Sequence, residues 1–177
     1  MEILKHKDYH SHGTGRFSRA DFKFLGENTI IEEGVLIFHP ENIIIGNNVY
    51  IGHNSILKGY YMNEMVIGDH TWIGQGCFFH SAGGIKIGKA VGIGPMVKIL
   101  TSAHKETELK RPVMFNELEF DEVVIEDGCD IGVGSILLPG VSIGEGSIIG
   151  AGSVVTGNVP SYHVAYGVPA RIMRKRI

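Results

Sequence analysis

The chain has 177 residues, 44% of them hydrophobic and 20% charged, enough for one domain with a substantial core. Its net charge of −3 gives no general footprint for nucleic acid, although the end "RIMRKRI" is locally basic. No apolar run reaches the ~18 residues of a membrane span, "MEILKHKDYHSHG" lacks a signal peptide's hydrophobic segment, and two cysteines cannot build a disulfide scaffold.

A cytoplasmic protein with no membrane insertion and no nucleic-acid partner is therefore expected. Glycine is the outlier, with 25 residues against a usual share of about 7%. It has no three-residue period, so it points to many tight corners rather than to collagen.

Residues 1–24 carry no repeat and read as an N-terminal cap segment. His6, His10 and His12 form a loose cluster there, for which chance or weak metal binding suffices.

From Leu25 an aliphatic or aromatic residue returns every sixth position. The first trio is Leu25, Ile31 and Ile37; the next are Ile45, Ile51, Leu57 and Ile67, Ile73, Phe79. Then come Ile87, Ile93, Ile99; Ile125, Ile131, Leu137; and Ile143, Ile149, Val155. Four residues after each stands a small or β-branched residue, except at Glu41 and Tyr61. Glycine usually follows the first and second members of a trio and never the third, so three sixes make one unit.

A helix cannot keep a six-residue beat on one face, and a plain strand alternates every two. Short strands joined at sharp corners can. Three such strands close a triangular turn, and successive turns stack as parallel strands ~4.8 Å apart. No turn buries its core alone; stacking supplies the partner surface. The expected fold is all-β, a parallel β-helix of about six triangular turns over residues 25–160.

The beat lapses once. The step between the fourth and fifth units leaves a surplus at about 105–124, with His104 as the last residue before the chain departs and Ala103 in an inward small slot. The loop mixes charges with Val113, Met114, Phe115, Leu118 and Phe120, which suggests docking against a neighbouring surface. Cys77 and Cys129 fall at inward small positions and are expected to be structural. Residues 161–177 form a C-terminal tail.

The stretches "VGIGPMVKILTSAHK", "VVIEDGCDIGVGSILLPGVSIGEGSIIGAGSVVTGNVP" and "GVPARIMRKR" resemble the hexapeptide-repeat acetyltransferases, in particular the galactoside and maltose acetyltransferase group. The resemblance implies a left-handed β-helix, a homotrimer with sites between subunits, and acetyl-CoA as co-substrate without a metal. It implies His104 as the general base, because an imidazole of ordinary pKa about 6.5 can take the proton of a sugar hydroxyl attacking a thioester. It places Gly134, Ala151, Gly152 and Thr156 along the pantetheine, and Arg171 and Arg174 near the adenosine phosphates. The chain departs from the family at Asp130, where an aromatic is frequent, and at Gly157, where a lysine is. His80, just outside the core on the third face, is a candidate acceptor contact.

The expected reaction is acetyl transfer to a sugar hydroxyl. N-acetylation of a nucleotide-linked amino sugar is the alternative, because residues 1–24 lack the helical N-terminal signature of the galactoside and maltose enzymes. The γ-class carbonic anhydrases share the prism but need two histidines five residues apart, a spacing this chain lacks. A non-catalytic scaffold is the remaining reading.

Overall fold

The computed structural model describes residues 9–107 and 109–177; His6 and Glu108 lie outside the described residues. Its strands are two or three residues long through the repeat and pair in parallel into three sheets, the faces of a left-handed prism. Face one runs from Phe24–Leu25 to Ser142–Ile143, face two begins at Ile30–Ile31, and face three runs from Leu36–Phe38 to Val154–Val155. Each trio supplies one residue per face, in register with its equivalents above and below, as in Ile51, Ile73 and Ile93. These side chains fill the prism interior.

The small residues at the corners have a second role. Ser55, Thr71 and Ser135 are fully buried, and each hydroxyl donates to a glycine carbonyl one turn further along: Gly74 at 3.1 Å, Gly88 at 3.0 Å and Gly150 at 3.1 Å. A buried hydroxyl is tolerated only when so paired. Cys77 and Cys129 occupy the same kind of slot, with Sγ 3.4 Å from the Gly94 carbonyl and 3.2 Å from that of Gly144. Burial pushes the Cys77 thiol up to about 11, so it stays protonated and unreactive.

The glycines of the beat are required by close approach. A Cβ on Gly132 would lie 2.5 Å from the Ala151 backbone nitrogen, and one on Gly68 would lie 2.5 Å from the Gly88 carbonyl oxygen. Each first and second corner also carries one left-handed residue, and at the second corner Gly134 (φ 70°) and Gly152 (φ 68°) supply it.

Two features extend the sequence-based picture. Units longer than eighteen residues add a second inward side chain to face one, at Ile43, Met65, Ile85 and Val123, all fully buried. The solenoid also continues past residue 160. Val159 bridges Ile143, His163–Gly167 adds a further parallel strand to face two, and Ala170–Lys175 folds back on it antiparallel. Buried Val164 and Ala165 close that end of the core.

The departure point of the insertion is earlier than the beat suggests. Thr101, fully buried, takes the inward slot, while Ala103 is exposed. The Thr101 hydroxyl donates to the His80 carbonyl at 2.6 Å and accepts from the Gly83 N–H at 2.8 Å, which alanine cannot do. The chain leaves after Thr101 and returns where the Asp121 N–H donates to the Thr101 carbonyl at 3.1 Å. The inserted segment is thus 102–121, and Val123 is already back in face one.

Candidate active site

The insertion is a hairpin. Ser102–His104 pairs antiparallel with Leu118–Phe120, with Ser102 opposite Phe120 and His104 opposite Leu118. Because strand side chains alternate, Ser102, His104, Leu118 and Phe120 share one side of the ribbon. Between the arms, Val113–Phe115 forms a single 3-10 turn on which Val113 and Met114 are exposed.

His104 is half-buried, and its Nδ1 lies 3.1 Å from the Asn116 backbone carbonyl. A carbonyl only accepts, so Nδ1 carries the proton and neutral His104 keeps its lone pair on Nε2. Asn116 is itself clamped: buried to 7% exposure, it donates Nδ2 to the Lys105 carbonyl at 2.7 Å. The ring's tautomer and tilt are therefore set by a residue twelve positions away, brought back by the hairpin. An imidazole so held is a ready proton acceptor, and Nε2 is the accepting atom.

His80 joins this side of the ribbon. Its Nδ1 is 3.4 Å from the Ser102 hydroxyl, and Ser102 is two residues from His104 on the same side. Burial, and after it the nearby Lys58 ammonium, hold the His80 imidazole below its ordinary range, so it is neutral at pH 7. Tyr60 bridges the prism to the hairpin, with its ring centroid 6.1 Å from that of His80 and 6.1 Å from that of Phe120. Phe120 thus docks on its own chain. The structure brings His104 and His80 to one wall through Ser102, with Tyr60 and Phe120 as apolar neighbours that the repeat gave no reason to single out.

The other predicted residues form two groups away from the hairpin. Gly134, Ala151 and Gly152 line the second corner on successive turns, linked where the Gly152 N–H donates to the Val133 carbonyl at 2.8 Å. No heavy atom would come within 4 Å of a Cβ on Gly134 or Gly152, so this corner is an open ledge. Thr156 and Arg171 line a cavity of about 210 Å³ at the end of the prism, together with Gly157, Asn158 and Ala170. Arg174 is exposed on the same edge strand, opposite Val164. Among the described residues there is no group of three or more His, Cys, Asp or Glu side chains placed to hold a metal ion, and no helix is long and apolar enough to cross a membrane.

Residues 122–157 match the family model described as bacterial transferase hexapeptide (six repeats). The repeat is thus of the hexapeptide-transferase type over these residues. The chain is 32% identical over 157 residues to the galactoside O-acetyltransferase of Lactococcus lactis, covering 87% of this chain and 63% of that protein. The Escherichia coli galactoside O-acetyltransferase is also 32% identical, with 87% of this chain and 64% of the relative covered. The chain thus spans somewhat less than two thirds of the length of these curated relatives.

Among solved structures, a variant of AntD, an N-acyltransferase from Bacillus cereus, superposes with a TM-score of 0.80 at 25% identity. The match covers 90% of this chain and 86% of that one, and that structure holds dTDP-4-amino-4,6-dideoxyglucose and coenzyme A. A hexapeptide-repeat acetyltransferase from Vibrio cholerae, complexed with acetyl coenzyme A, gives a TM-score of 0.66 at 28% identity over 89% of this chain and 73% of that one.

Proposed function

We propose that this protein transfers the acetyl group of acetyl-CoA to a hydroxyl of a sugar, in the cytoplasm, as a homotrimer with sites between subunits, and with His104 as general base. The observation that carries this reading is the Nδ1–H donation of His104 to the Asn116 carbonyl, which leaves Nε2 as the basic atom. In the ternary complex the acceptor hydroxyl donates to Nε2. As its oxygen attacks the thioester carbonyl, the proton passes to Nε2; the C–S bond then breaks and the departing thiolate takes that proton from the imidazolium. No side-chain nucleophile is required, which agrees with the burial of both cysteines.

The ledge at Gly134, Ala151 and Gly152 suits an extended pantetheine arm, since nothing there projects into its path. Thr156 and Arg171 share the terminal cavity, and Arg171 with Arg174 supplies fixed cations for the phosphates of the nucleotide end. His80, neutral and next to Ser102, is placed to hydrogen-bond an acceptor hydroxyl.

A second reading has its own support. The AntD structure, the better of the two superpositions, holds an amino sugar linked to a nucleotide, so an acceptor amine in place of a hydroxyl fits the same chemistry. An acceptor screen with acetyl-CoA, following released thiol and product mass, tests both. Acceptor-dependent thiol release with neutral sugars supports O-transfer, and release only with nucleotide-linked amino sugars selects N-transfer. No release with either class removes the proposal.

A further inference from the structure

Face three carries a short outward column at the ends of its strands. Phe38, Lys58, His80 and Leu100 stand there in register on four consecutive turns. Lys58 and His80 are both half-buried, and their strands are one spacing, about 4.8 Å, apart. The N-terminal segment reaches the same column. The buried Gly15 accepts from the Ile37 N–H at 2.9 Å, and a Cβ on it would lie 2.9 Å from that of Leu36. Three residues earlier, the exposed His12 brings Nε2 to 3.5 Å from the Lys58 ammonium. An ammonium only donates, so His12 accepts there and is neutral.

Three nitrogen groups thus meet without an acid. Ion pairs among the described residues engage Lys23, Lys86, Lys89 and Lys105, but not Lys58. Burial holds the Lys58 ammonium below its ordinary range, and no neighbouring carboxylate opposes that effect. The other groups facing the cluster carry no negative charge at neutral pH. They are the Ser102 hydroxyl, 3.4 Å from His80 Nδ1, the Tyr60 phenol, which burial pushes up, and His104 further along the ribbon. A partly buried cation without a counter-charge is costly, and a bound anion would supply one.

We propose that Lys58, His80 and His12 form a binding site for a phosphate monoester group. Lys58 donates from an ammonium, and each imidazole donates one N–H when neutral and two when protonated. These donors come from two turns of the prism and from the N-terminal segment. Three separate donors suit the three terminal oxygens of a monoester better than the two of a carboxylate or a phosphodiester. A dianion in their midst also favours the imidazolium, so bound phosphate should raise the pH at which His80 titrates. The site shares His80 with the wall beside His104, but it does not rest on acetyl transfer there.

Calorimetric titration with inorganic phosphate and with glucose 1-phosphate, both without acetyl-CoA, tests the site and the source of the group. Saturable binding is expected, tighter for glucose 1-phosphate if the group arrives on a sugar and equal for the two if it arrives free. Lys58→Met keeps an apolar stem but removes the charge, and should weaken binding about tenfold or more. Lys58→Arg should retain most of the affinity, and His12→Ala, at an exposed position, should lose part of it. In proton NMR the His80 ring should titrate at higher pH with phosphate than without. The proposal is overturned by no saturable binding of either probe, by binding that Lys58→Met leaves unchanged, or by equal binding of dimethyl phosphate. A His80 titration that phosphate does not move would also overturn it. None of these readings uses acetyl-CoA or His104, so failure here leaves the transferase proposal standing, and the reverse also holds.

Discussion

Replacing His104 by alanine is expected to lower turnover by ~10²–10⁴-fold, the range for loss of a general base, while the protein keeps its fold and mass. The ring sits on a hairpin outside the prism core, so its removal takes nothing from the stacked aliphatic layers. The sharper variant is His104→Asn. Its side-chain amide can occupy the place of Nδ1 and keep the donation to the Asn116 carbonyl, but it has no basic nitrogen at the position of Nε2. Both variants should therefore lose activity alike if Nε2 is the base. If the histidine only braces the hairpin, His104→Asn should be far more active than His104→Ala.

The sign of the pH dependence follows. The base works when neutral, so kcat/KM of the parent should fall as pH is lowered. The residual activity of either variant should lack that fall.

Phe79→Ala should produce the largest loss of stability, about 3–5 kcal/mol for a buried phenylalanine, with Tm lower by roughly 10 °C at the 2–4 °C per kcal/mol of a domain this size. Phe79 is fully buried on face three, between Leu57 below and Ile99 above. Neither neighbour can collapse into the space, because each is fixed by the parallel pairing of its own strand. In a solenoid each turn touches only the turns next to it, so the loosening should be local. Hydrogen exchange should accelerate around residues 57, 79 and 99 and remain slow around Ile149 and Ala165. Uniform acceleration along the prism would contradict this nearest-neighbour account.

Much of the prism was legible because its physics is periodic. A large inward residue every sixth position and a small one four later leave few alternatives, and the structure buries Ile51, Ile73, Ile93 and Ile131 as that rule requires. The rule lost resolution where two residues satisfied it equally. Thr101 and Ala103 are both small; what decides between them is a hydroxyl bond to the carbonyl of His80, from the preceding turn. Burial of Ile43, Met65, Ile85 and Val123 had a visible signal, an apolar residue two before the trio that follows each longer unit, but the six-residue count passes over it.

The candidate site was legible in part for a related reason. His104 stood out by its place beside the only long break in the beat. Asn116 did not, because its hold on His104 exists only once the two hairpin arms pair. Tyr60 and Phe120 meet across sixty residues of chain, and neither obeys the repeat. Gly134 and Gly152 carry two explanations at once, since a left-handed corner calls for glycine with or without a ligand beside it.

The account rests on direct transfer, with one protonation site and no acetylated side chain. Initial rates of thiol release, measured over a grid of acetyl-CoA and acceptor concentrations with the best acceptor from the screen, test it most directly. Intersecting reciprocal plots, showing that both substrates must be bound before thiol is released, are the predicted result. Parallel plots, with thiol released before the acceptor binds, would mean an acetyl-enzyme and would contradict it.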